Sequence, residues 1–169
     1  MKIRAKLGDI FMIPVQDSKY AIGQVLNIRH GGELYIAVWR DLVGEGEFKR
    51  ESLLHSSPWL GVLTLDALIW HGRWPIIDNY TDNIGEIPRP YFKLNDSGVY
   101  NIVDIDLEPI REVKSGEMDQ LINKTTVAPI VVQDAVQAWF GIGDWNRNDD
   151  KLLFEYVIKS SAIALGGAR

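Results

Sequence analysis

Gly8-Asp9-Ile10-Phe11-Met12-Ile13-Pro14-Val15, then Gln16-Asp17-Ser18-Lys19, then Tyr20-Ala21-Ile22-Gly23-Gln24-Val25-Leu26-Asn27-Ile28, is the stretch that decides the fold. Gly8-Asp9 is a turn signal, and the apolar run Ile10 to Val15 has strand length. Its proline suits a strand end or an edge, where the missing N–H is not needed. After a polar turn the residues alternate, with Tyr20, Ile22, Leu26 and Ile28 on one face and Ala21, Gly23 and Val25 on the other. Gly23 inside this run predicts a bulge or a sharp bend. His30-Gly31-Gly32 supplies a hairpin turn, because glycine accepts positive φ. Glu33 to Arg40 then returns, Leu34, Ile36 and Val38 alternating against Tyr35, Ala37 and Trp39. Residues 8–40 are therefore expected to form a three-stranded antiparallel meander.

Outward from this core the pattern is less regular. Leu60 to Ile69 reads as a strand buried on both faces or as a strand after a short turn, and Trp70 to Pro75 as an aromatic turn. Ile76-Ile77 starts a further strand, and 78–90 is an irregular polar excursion. Val99 to Leu107 alternates as a strand whose outer face carries Asp104, Asp106 and Glu108. Pro129 suits the first turn of a helix, along which Val132, Val136, Trp139 and Phe140 form one apolar stripe ending at Gly141. This makes Trp139 a core residue, as Trp39 is on its strand. Leu152 to Ile158 reads as a last strand. The expected fold class is α+β, mainly β: an antiparallel meander or a small, SH3-like, partly open barrel with one C-terminal helix packed on the sheet. One domain over 1–165 and a mobile tail at 166–169 complete the expectation.

Composition narrows the function. The chain has 169 residues and no cysteine, which excludes disulfides, thiolate metal sites and cysteine nucleophiles together. Twenty-three acids against 18 Lys and Arg give a net charge of −5, which disfavours nucleic acid as a partner and permits a basic protein. There is no long apolar run for a membrane span and no apolar segment after the basic N-terminus, so a cytoplasmic location is expected. The sequons at Asn79 and Asn123 carry no meaning without a secretory signal.

Catalytic patterns are absent. No nucleophile elbow, P-loop or G-x-G-x-x-G occurs, and Gly141-Ile142-Gly143 follows a helix instead of opening one. His30, His55 and His71 are scattered. No cofactor or metal is expected, although Asp104, Asp106 and Glu108 have the chemistry of a hard-cation site and must be weighed against a solvated face. Asp144, Asp149 and Asp150 lack the spacing of an EF-hand loop. Trp70, Trp74 and Trp145 lie in expected loops near Arg73 and Arg147, residue types that dominate protein interfaces.

The G-D-I-F-x-I-P strand at 8–14, the short turn and the Y-x-I-G-Q-V strand at 20–25 resemble the start of the immunity protein 26 family. The helix ending Ala138-Trp139-Phe140-Gly141 is compatible with it. The resemblance implies a non-catalytic antidote that binds a cognate bacterial toxin domain, a basic nuclease being the expected partner. On that reading Asp104, Asp106, Glu108, Asp144, Asp149 and Asp150 are the expected toxin-binding residues, with the turn Trp70, His71, Arg73 and Trp74 as second surface. A monomer is expected. The alternative is a small enzyme or ligand-binding β-barrel with a pocket near His71 and Arg73.

Overall fold

The computed structural model describes residues 3–166. The chain opens with β1 (Asp9–Gln16), β2 (Lys19–Ile28) and β3 (Glu33–Gly44), the meander expected from the sequence. Next come β4 (Leu60–Leu65), the single-turn α1 (Ala67–Trp70) and β5 (Ile76–Asn79). A second group follows, β6 (Phe92–Asp96), β7 (Val99–Val103) and β8 (Pro109–Glu112), and then α2 (Pro129–Trp139) and α3 (Phe154–Ala164). The strands form two open antiparallel sheets, ordered β4-β3-β2-β1-β5 and β6-β7-β8. The meander is thus the form adopted, and no barrel closes.

Both faces of the larger sheet are apolar, and both are covered. Phe11, Ile13, Val25, Ile36 and Val38 pack with Val132 and Val136 of α2. Ile10, Ile22, Tyr35, Ala37 and Trp39 pack with Phe92 and Val103 of the smaller sheet and with Ile105 of its β7–β8 loop. The alternation along β1–β3 therefore sorts residues between two cores, not between core and water. Pro14 lies beyond the reach of β5, which pairs only with Asp9 to Phe11, so its missing N–H disturbs no ladder. At Gly23 the register of β2 on β3 shifts, and a Cβ there would sit 2.4 Å from the Phe11 ring. Phe11 in turn stacks on Trp74. A polar pair enters the core: Gln24, fully buried, exchanges amide hydrogen bonds with buried Asn83 (Nε2 to Oδ1 3.0 Å, Nδ2 to Oε1 2.8 Å).

α2 begins at Pro129 as expected, and ends in a Schellman motif. The Gly141 N–H (φ 85°) donates to the Ala138 carbonyl and the Ile142 N–H to the Gln137 carbonyl.

Four expectations need correction. Leu152–Ile158 is no strand: α3 occupies 154–164, burying Phe154, Val157, Ser160 and Ala164 at spacings of three and four. The apolar run at 60–69 is β4 followed by α1. β7 stops at Val103, because the Asp104 carboxylate captures the next free N–H groups and Leu107 turns at φ +68°. Trp139 is 45% exposed, lying on the last turn of α2, whereas Trp74, expected in a loop, is 1% exposed. Of the expected tail, residues 167–169 lie outside the described residues.

Candidate partner-binding surfaces

Asp104, Asp106 and Glu108 come together, but in the β7–β8 loop and not along a strand face. The Asp104 carboxylate accepts the N–H of Asp106 (2.8 Å) and of Glu108 (2.9 Å), so it builds the loop. Asp106 faces Arg29 Nε at 3.7 Å, and Glu108 has no ion pair among the described residues. Arg29 also holds Glu33 at 2.6 Å, and Glu33 accepts from Lys124 (2.9 Å) and from the Thr126 hydroxyl. Burial alone would raise the Glu33 carboxyl, but the hydrogen bonds from Thr126, Lys124 and Arg29 outweigh it and hold it below the usual carboxylate range. A chain of charges thus joins the β2–β3 turn to the acidic loop and to the segment before α2.

The second acidic set lies between α2 and α3. Asp144 is exposed, and Asp149 and Asp150 stand on a 3₁₀ turn at Arg147–Leu152. Asp150 accepts the Trp145 indole N–H at 2.7 Å. Burial, reinforced by neighbouring acids against the attraction of Lys151, pushes the Asp149 carboxyl up. No hydrogen bond or ion pair joins the two acidic sets among the described residues. Nor does any group of three or more His, Asp or Glu there assemble in a way that could hold a metal ion.

The turn after α1 divides. Trp74 is buried and donates its indole N–H to Gln133 Oε1 at 3.0 Å, so it presents nothing outward. His71 and Arg73 are exposed, and the Arg4 guanidinium lies 5.6 Å from the centre of the Trp70 ring. A shallow hollow of 480 Å³ is lined by Arg4, Ile28, Asp66, Trp70 and His71, without Arg73.

A fourth surface escapes sequence reasoning. Trp59, Trp139 and Trp145 form a cluster with ring centres 4.9, 6.0 and 6.3 Å apart. Arg40 lies over Trp139 at 4.9 Å. Beside them a 350 Å³ groove is lined by Arg40, Pro58, Trp59, Trp139, Phe154 and Ile158. These residues come from β3, the strand preceding loop, α2 and α3. They are distant in sequence, and only the fold unites them.

The whole is a small α+β protein on an open antiparallel meander, with charged and tryptophan-rich surfaces for contact. A family profile described as Immunity protein 26 matches residues 6–103, more than half of the chain, which therefore belongs to that family. No curated protein and no solved structure gives a significant match. The matched segment runs through β7 and contributes Arg40 and Trp59. Trp139, Ile158 and all six candidate acids lie beyond it. Among the described residues no helix is long and apolar enough to cross a membrane.

Proposed function

We propose that this protein is a cytoplasmic antidote that neutralises a cognate toxin domain by direct contact and performs no chemistry itself. Membership of the immunity protein 26 family carries this reading. The acidic β7–β8 loop supports a basic partner such as a nuclease. Acids that project from a loop steer a positively charged surface into encounter and occupy the place where phosphates would lie. Asp106 and Glu108 are exposed and suited to that role, while Asp104 shapes the loop that presents them. Asp144, Asp149 and Asp150 extend the same charge on a second loop.

The test uses the cognate toxin domain, sought among the products of the neighbouring genes. Asp106→Lys with Glu108→Lys should slow association by about tenfold at low salt, and the unmodified pair should lose association rate as salt rises. Protection of toxin-expressing cells should fall in parallel. Unchanged association and unchanged protection with a folded variant remove this face. Absence of any binding by the unmodified chain removes the antidote reading itself.

A further inference from the structure

Three observations meet at the groove between the end of α2 and the start of α3. Its rim is apolar and open to solvent: Trp139 is 45% and Ile158 51% exposed. The groove adjoins a second hollow of 190 Å³ through shared Pro58, Phe154 and Ile158, and that hollow is lined by Leu54, itself 49% exposed, together with Ser56, Ser57 and Glu86. Exposed apolar side chains grouped in this way on a water-facing surface mark a contact site. The groove's acid is already matched, Glu155 lying 3.5 Å from Lys159. Its cation is not. Arg40 is held over the Trp139 ring and has no carboxylate or other hydrogen-bond acceptor among the described residues. A guanidinium placed over an aromatic ring gives up no N–H donor to that contact and keeps its donors for a carboxylate.

We infer that this groove anchors a segment of the toxin that carries apolar side chains beside a carboxylate. Trp139, Ile158 and Leu54 receive the apolar part, and Arg40 pairs with the acid. Buried aromatic and arginine anchors of this type concentrate binding energy at the centre of an interface. The inference rests on the antidote reading and adds to it a contact of opposite charge preference. The acidic loops steer a basic surface, whereas the groove selects an acid next to an apolar side chain.

Two measurements on the full chain decide it. In the first, N-acetylphenylalanine, a ring beside a free carboxylate, is titrated while the indole N–H signals are followed by NMR, with N-acetylphenylalaninamide as uncharged control. The Trp139 and Trp145 signals should shift, and the acid should bind about threefold or more tighter than the amide. Arg40→Gln should erase that preference, and Ile158→Glu, at an exposed position, should remove both interactions. Equal binding of acid and amide to the unmodified chain, or shifts confined to Trp70, overturns the inference. In the second, Ile158→Glu and Leu54→Glu should each weaken the toxin complex by roughly tenfold or more. A toxin that binds these variants unchanged removes the groove and leaves the antidote standing. A chain that binds no toxin fails the antidote reading, while the titration still reports on the groove. Sedimentation showing a dimer that Ile158→Glu dissolves would assign the face to a second copy and overturn the inference.

Discussion

The two sheets are built alike, both antiparallel and both opening on a tight hairpin, yet they are held in different ways. In the five-stranded sheet Ile10, Phe11, Ile13, Val25, Ile36 and Val38 are 0% exposed, covered by α2 on one face and the smaller sheet on the other. In the three-stranded sheet Leu94, Val99 and Ile110 are 39–46% exposed, and only Phe92, Ile102 and Val103 reach a core. Polar links make up the difference. Arg111 holds Glu117 through two N–H bonds of 2.8 Å and donates to the Ile163 carbonyl, and Lys93 donates to the Met118 carbonyl at 2.6 Å. The first sheet rests mainly on apolar burial, which does not titrate, its ion pairs at Glu33 and Asp78 lying at its margins. The second leans on ion pairs, which do.

The largest expected effect breaks the first sheet. Trp74→Ala removes the ring stacked on Phe11 and strands the Gln133 acceptor, and should cost about 3–5 kcal/mol in chemical denaturation. A cost below about 1 kcal/mol would show that the interior of this sheet is not sustained by its packing.

Acid should separate the sheets. The Arg111 guanidinium beside Glu117 lowers that carboxyl to about 2, whereas the lowered carboxyls of the larger sheet, Glu33 at the start of β3 and Asp78 in β5, stand outside its apolar cores. A carboxyl depressed in the folded state adds stability above its unfolded pKa and loses it as pH falls towards the folded value. Hydrogen exchange between about pH 5 and 2 should therefore show β6–β8 losing protection before β1–β3. Simultaneous loss would mean that the ion pairs contribute nothing distinct. The smallest effect sharpens the contrast from the other side. Val99→Thr, on the exposed stretch of β7, should shift stability by no more than about 0.5 kcal/mol by the same denaturation measurement.

The same contrast explains what could be read from the chain. Alternation along β1–β3 names their strands, faces and turns, because each face meets an apolar layer of its own. The residues of α3 do not announce a helix. Its inward positions include Ser160, which donates to the Val157 carbonyl and accepts from the Tyr91 N–H, so the apolar stripe is interrupted where the helix is buried. Leu152 to Ile158 then looks like any short apolar run. Asp104, Asp106 and Glu108 are legible as a group, being close in sequence, but not as a loop, since a side chain that captures backbone N–H groups leaves no mark on the alternation. Trp74 and Trp139 exchange places for a tertiary reason: one turn folds under the sheet, and one helix end faces solvent. The groove has no local pattern at all. Arg40, Trp59 and Ile158 are individually ordinary, and nothing within ten residues of any one of them points to the other two.

The Gln24–Asn83 exchange constrains how descendants of this chain can drift. Each amide is both donor and acceptor for the other, and Gln24 also donates to the Tyr80 carbonyl at 2.6 Å. Replacing either one by an apolar residue leaves its partner's amide stranded in a dry interior, whereas replacing both with shapes that fill the space can be nearly neutral. A lineage crossing from this pair to an apolar pair must therefore pass through an intermediate worse than both ends. Substitutions at 24 and 83 should be inherited together, and the stretch around 80–83 is tied to the history of β2 although fifty-odd residues separate them.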